Sequence, residues 1–161
     1  MQLRSRPALI GTSVMAVLAL SPSPASAHDG GGDDLIREDL VPSLTTDPPI
    51  NGLQPGGLPW VLDRGEVRVR DDGRMDVRIE GLQIPRAGSE DNPVGSITAV
   101  LYCGGMRVAD SGAQPMSIPE GDARFRVTVA APDHCDMATV LISPTPLVGS
   151  RFIASAMSHG D

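Results

Sequence analysis

Lysine is absent from this chain of 161 residues, and all 13 basic residues are arginines. The protein therefore has no P-loop lysine, no Schiff-base lysine and no Ser-x-x-Lys nucleophile pair. Gly-x-Ser-x-Gly and His-Glu-x-x-His motifs are also missing, and the chain has only three histidines. We therefore predict no catalytic residues, no cofactor and no enzymatic activity, with an unrecognised hydrolase or redox enzyme as the alternative.

Positive charge is scarce as well, because 20 acidic residues against 13 arginines give a formal net charge of −7. Affinity for nucleic acids comes mainly from basic side chains that neutralise phosphates, and anionic membrane surfaces attract basic segments in the same way. The charge balance therefore predicts that neither nucleic acid nor an anionic membrane is a partner.

The only long apolar run lies at residues 8–20, and it is too short for a helix that spans a bilayer, which needs about 20 residues. Arg4 and Arg6 precede it, and Ala25-Ser26-Ala27 follows it as a small-residue cleavage site. Residues 1–27 thus have the pattern of a secretory signal peptide cleaved after Ala27, with an N-terminal membrane anchor as the alternative. We expect a secreted protein with no membrane span in the mature chain.

Cysteine is limited to Cys103 and Cys135. Two cysteines in an exported chain most simply form one disulfide, and free thiols are the alternative. This disulfide would close a loop of about 33 residues, for which the chain-entropy model gives a stabilisation of about 3.5 kcal/mol.

Residues 28–59 are acidic and rich in glycine and proline, with few apolar residues. Such a segment buries too little apolar surface to offset its ordering entropy. We predict a mostly disordered leader, in which residues 34–44 could form a short helix. A peptide-docking motif is its alternative function.

From residue 60 onward the apolar residues alternate with polar ones, as in β-strands. In the clearest segment, Val67 and Val69 precede a turn, and Met75, Val77 and Ile79 follow it. A three-residue loop pairs Val69 with Met75, so that one face of the hairpin is apolar. The other face then carries three pairs of opposite charge: Arg68 with Asp76, Glu66 with Arg78, and Arg64 with Glu80.

The predicted loop of this hairpin is Asp71, Asp72 and Gly73. A three-residue hairpin loop is a type I turn followed by a left-handed residue, which is the position of Gly73. Further strands are predicted at residues 97–102, 106–109, 114–118, 124–130, 137–142 and 151–157. We predict that residues 60–158 form a single immunoglobulin-like β-sandwich of seven to eight strands, with a small barrel as the alternative.

Metal ligands are few, and we predict no metal site. The weak candidates are His28, Asp29, Asp33 and Asp34. After cleavage His28 would supply an α-amine and an imidazole for copper, and the aspartates supply oxygen ligands for calcium. His134 lies in a polar loop and His159 lies near the C-terminus, so neither is in the context of a catalytic triad.

The hairpin of residues 65–82, together with residues 123–127 and 135–142, resembles uncharacterised small secreted bacterial β-sandwich proteins. The hairpin is also faintly similar to the chordin-like repeat, whose histidine-containing central motif is missing here. The resemblance implies an exported β-sandwich and no particular activity.

These patterns favour a secreted, non-enzymatic binding or structural module whose partner is an unknown extracellular protein or envelope component. Its candidate surface is the charged outer face of the 64–80 hairpin, with the loops at 83–95 and 104–105. The alternative is a secreted copper- or calcium-binding protein that uses His28 or the acidic leader.

Overall fold

The computed structural model describes residues 32–86 and 89–159, which fold almost entirely into strands. This confirms the predicted all-β fold. One short 3-10 helix spans Thr145–Leu147, and no helix in the described part of the chain is long and apolar enough to cross a membrane. The strands in chain order are β1 (Asp34–Asp39), β2 (Val41–Pro42), β3 (Gln54–Pro55), β4 (Arg64–Arg70), β5 (Arg74–Glu80), β6 (Ile84–Arg86), β7 (Ser89–Asp91), β8 (Ser96–Cys103), β9 (Met106–Asp110), β10 (Gln114–Pro115), β11 (Ala123–Thr128), β12 (Thr139–Pro144), β13 (Arg151–Phe152) and β14 (Ala154–Met157).

Two sheets enclose the main core. The first sheet has the order β1-β4-β5-β11, and the second has the order β10-β8-β12-β14-β2 with β9 also paired to β8. Val67, Met75 and Ile79 of the first sheet belong to the same buried cluster as Leu101 and Ile142 of the second. The protein is therefore a sandwich whose core relies on aliphatic side chains and methionine, as the scarcity of aromatics requires.

The hairpin of β4 and β5 has the predicted register. Val69 is opposite Met75 and Val67 is opposite Val77, and all four side chains are buried. The Gly73 amide donates a hydrogen bond to the Arg70 carbonyl (3.0 Å). Gly73 has a φ of +83°, the left-handed conformation that this loop type requires.

The structure corrects the boundary between the predicted leader and the domain. Residues 34–39 form a strand rather than a helix, and this strand pairs with β4 at the edge of the first sheet. Ile36 and Leu40 enter the main core. An open sheet edge supplies hydrogen bonds and apolar contacts that the isolated segment lacks, so the ordered domain begins well before residue 60. Residues 28–31 of the predicted leader, and the predicted signal peptide, lie outside the described residues.

Residues 41–42 of the predicted leader form β2 at the edge of the second sheet, and the segment that follows packs on the outer side of that sheet. β3 pairs in parallel with β13, and Leu53 and Phe152 bury against Val100, Tyr102 and Leu141. We call the segments 44–59 and 145–153 the cap. The cap covers an apolar sheet face that would otherwise be in contact with water, and this burial offsets the ordering entropy of the segment.

Cys103 and Cys135 form the predicted disulfide, with their Cα atoms 5.0 Å apart. It joins the end of β8 to the loop before β12. The predicted strand over 151–157 is two strands, because β13 belongs to the cap and β14 belongs to the second sheet.

Candidate functional site: an arginine-rich sheet face

The outward-facing side chains of the sheet β1-β4-β5-β11 form a densely charged surface, which we call the arginine face. Strict alternation in β4, β5 and β11 turns the apolar residues to the core and the charged residues to solvent. Its arginines are Arg37, Arg64, Arg68, Arg70, Arg74, Arg78, Arg124 and Arg126, and its carboxylates are Asp34, Asp39, Glu66, Asp76 and Glu80.

Charge is segregated between this face and the rest of the molecule. Eight arginines against five carboxylates give the face a formal charge of +3. The other described residues hold three arginines and 13 acidic residues, which gives −10. The net charge of the whole chain therefore hides a locally basic surface.

Strand register also places like charges side by side. Arg37 of β1 is directly opposite Arg68 of β4, and Arg124 of β11 is directly opposite Arg78 of β5. Like charges directly opposite each other across antiparallel strands are destabilising. The fold therefore accepts a modest electrostatic cost at two positions of this face.

Ion pairs on the face connect different partners from those expected. The predicted pairs are opposite in register, but the Arg68 Nε lies 2.5 Å from the Asp34 carboxylate on β1. Asp76 accepts a hydrogen bond from Arg126 on β11, and Glu66 lies 3.5 Å from Arg37. Sequence reasoning on the hairpin alone could not find these partners, because β1 and β11 provide neighbours on the two open sides of the hairpin.

Glu80 has three arginines around it. Arg78 donates hydrogen bonds to Glu80, and with Arg64 and Arg124 close by it holds the pKa of Glu80 below its ordinary value. Among the described residues Arg64 and Arg124 form no ion pair within 4.0 Å. The Arg70 Nε is buried without a hydrogen-bond partner in this part of the chain, 3.8 Å from Asp34. The Arg70 Nε is therefore closed to a ligand, whereas Arg64 and Arg124 leave the face with donors that its own carboxylates do not use.

An open groove of about 570 Å³ runs over this surface. Six arginines and two carboxylates line it, together with Val77 and Phe125: Arg37, Arg68, Arg70, Arg78, Arg124, Arg126, Glu66 and Asp76. Arginine forks bind carboxylate and phosphate oxygens in a bidentate way. The groove is therefore suited to an anionic ligand.

The loops predicted to join this surface have other structural roles. Residues 83–95 contain the small hairpin of β6 and β7, in which Arg86 lies 3.3 Å from Asp91. Gly104 and Gly105 both have positive φ in the turn between β8 and β9, and the Gly104 amide donates to the Asp136 carbonyl. These glycines therefore serve a tight turn of the second sheet.

The remaining metal and acid–base candidates form no common site among the described residues. His28 and Asp29 lie outside the described residues, and Asp34 is held by Arg68 and Arg70. The carbonyl of Asp33 accepts a hydrogen bond from the Asp71 amide (3.0 Å). His159 is highly exposed and lies 3.4 Å from Glu38. Within residues 32–86 and 89–159, no three His, Cys, Asp or Glu side chains are grouped to hold a metal ion.

The chain matches no family model, no curated protein and no solved structure.

Proposed function

We propose that the protein is a secreted, non-enzymatic binding module whose arginine face contacts an extracellular protein or an envelope component. The predicted signal peptide and the disulfide between Cys103 and Cys135 support an oxidising, extracellular location. The resemblance to small secreted bacterial β-sandwich proteins is in line with this location.

The observation that carries the proposal is the concentration of eight of the eleven described arginines on one uncovered sheet face. Exposed ion pairs contribute only about 0–1 kcal/mol each to stability, so stability does not require this arrangement. Repulsion between Arg37 and Arg68, and between Arg78 and Arg124, is relieved when an anionic partner binds.

The neighbour of His159 and the lining of the groove support a binding role over catalysis. His159 contacts Glu38 rather than a serine hydroxyl, and the groove holds arginine and carboxylate side chains without a histidine or cysteine. The metal-binding alternative gains no support from Asp34, since arginines occupy its carboxylate.

The test uses a matched pair of arginines. The side chains of Arg78, on the face, and Arg107, in β9, are both 45% exposed, and each bonds to a nearby carboxylate. Full-length protein is immobilised and incubated with an extract of the native cell envelope, and bound partners are located by crosslinking. We expect the double variant Arg78→Gln, Arg124→Gln to lose the partner that crosslinks to β4, β5 or β11, and Arg107→Gln to retain it.

The proposal would be refuted if the double variant captured the partner as well as Arg107→Gln does. Crosslinks confined to the second sheet would also refute it. Circular dichroism and the melting temperature of each variant establish that the fold is intact.

A further inference from the structure

We propose that the ligand of the arginine face is a phosphate polymer, a chain of repeated anionic phosphate groups without stacking bases, laid along the groove across the four strands. This inference rests on the proposed function, because it names the partner class of the same surface.

The arrangement of the arginines favours a chain over a single ion. Neighbouring strands are about 4.8 Å apart, so the four strands span about 14 Å. Arg37, Arg68 and Arg126 lie in one row across the sheet, with Asp76 between the last two. Arg78 and Arg124 lie side by side in the next row. A small ion contacts one or two of these side chains, whereas a polymer with repeated charges contacts both rows.

Only one aromatic side chain, Phe125, lines the groove, and it packs partly against the main core. Trp60, Tyr102 and Phe152 are buried, and Phe125 is half-buried in the groove. Single-stranded nucleic acids depend on aromatic stacking for much of their affinity. The ligand is therefore recognised by the charges on its backbone.

Phosphate is favoured over carboxylate because the face already contains carboxylates. Asp34, Glu66, Asp76 and Glu80 contact its arginines, so a carboxylate ligand would exchange one such contact for another of the same kind. A phosphate offers more acceptor oxygens to the arginine fork. Arg124, which lines the groove and forms no ion pair within 4.0 Å among the described residues, supplies donors for it.

The negative charge elsewhere confines the polymer to this face. The described residues outside it carry a formal charge of −10, and like charge repels a polyanion at contact distance. At physiological salt the Debye length is about 8 Å, so the local basic surface rather than the distant acidic one governs the encounter.

Isothermal titration calorimetry of the full-length protein with short-chain inorganic polyphosphate tests the proposal, with polygalacturonate as a carboxylate polymer for comparison. We expect polyphosphate to bind with an affinity that falls as salt rises, and polygalacturonate to bind more weakly. Arg78→Gln with Arg124→Gln should weaken polyphosphate binding at least about tenfold, because two charge-assisted contacts are lost. Arg107→Gln should change it less than about twofold, since a rim charge off the site contributes little. A second double variant, Arg37→Gln with Arg126→Gln, should weaken binding in the same direction, because both arginines line the groove.

Absence of polyphosphate binding, equal loss in the Arg107→Gln control, or equal or tighter binding of polygalacturonate would overturn the inference. If envelope capture still depends on the arginine face in that case, the proposed function stands and only the ligand class is wrong. If capture is independent of the face, the proposed function itself fails.

Discussion

The two outer faces of the sandwich differ in what lies on them. The first sheet exposes its outer face, where eight arginines and five carboxylates lie on four strands. The second sheet is covered on its outer side by the cap, where Leu53 and Phe152 pack on Val100, Tyr102 and Leu141. The second sheet is therefore covered on both sides, whereas the first sheet keeps one charged face in contact with solvent.

Strand composition explains the difference. β4, β5 and β11 alternate apolar and charged residues, so one side of each strand is compatible with water. β8 and β12 are apolar or uncharged on both sides and nearly all of their residues are buried. A sheet with two apolar faces needs a second covering layer, and the cap provides it.

The largest expected effect distinguishes the two phenylalanines of the chain. Phe152→Ala should lower the free energy of unfolding by about 3–5 kcal/mol, because it removes a fully buried side chain of the cap that packs on the second sheet. Phe125→Ala, at the half-buried edge of the first sheet, should cost clearly less. Urea denaturation measures both values, and equal losses would contradict the contrast between the faces.

Removal of the disulfide should come next. Cys103→Ala with Cys135→Ala should lower the free energy of unfolding by about 3.5 kcal/mol, as the unfolded chain regains the entropy of a loop spanning 32 positions. Because the crosslink belongs to the second sheet, polyphosphate affinity measured well below the melting temperature should stay unchanged. A loss of affinity in the folded variant would show that the two regions are coupled.

The turns of the two sheets provide a smaller effect with a matched control. Gly73 and Gly104 both have positive φ, but a Cβ added at Gly73 would lie 2.2 Å from the Val129 carbonyl oxygen. A Cβ at Gly104 would meet no atom within 4 Å. Gly73→Ala should cost about 1–3 kcal/mol from strain and displacement of β11, and Gly104→Ala should cost less. Thermal unfolding of the two variants measures both stability losses. A larger loss for Gly104→Ala than for Gly73→Ala would contradict this prediction.

Acidification should produce the smallest effect. The Arg74 amide holds the pKa of Asp72 below its ordinary value, and Arg78 lowers the pKa of Glu80. Carboxyls with lowered pKa contribute stability above their ordinary pKa of about 4, and this stability is lost as pH falls through the lower folded-state pKa. The melting temperature should therefore fall slightly below about pH 4.

Glu80→Gln should reduce this acid sensitivity. The control Glu120→Gln alters an exposed glutamate in a turn and should leave the pH profile unchanged. A melting temperature that rises on acidification would refute the stabilising role of the Asp72 and Glu80 carboxylates.

Local patterns predicted the hairpin well. The alternation around residues 71–73 predicted the register, the loop length and the left-handed Gly73, because neighbouring strands joined by a short loop have few alternative registers. The disulfide followed from a count of two cysteines. Except for Arg37, which lies in the predicted leader, the arginines of the site were readable as outward positions of the predicted strands and hairpin, but the partners of Arg68 and Asp76 were not.

The leader shows where local reasoning failed. Residues 34–59 carry too few apolar residues to order themselves, yet β1 and β3 gain hydrogen bonds and apolar contacts from strands far along the chain. Such contacts depend on the order of strands in the finished sheets, which periodicity does not encode.

By itself the sequence determined which side of each alternating strand faces the core, where the main hairpin turns, and which cysteines pair. Only the tertiary structure decided that β1 and β11 flank that hairpin, and that the cap covers one sheet while the other stays open. The physical reason is the separation along the chain between the residues that determine each feature. Side-chain alternation depends only on adjacent residues. Gathering eight arginines on one face of an acidic protein requires strands nearly 90 residues apart to share a sheet.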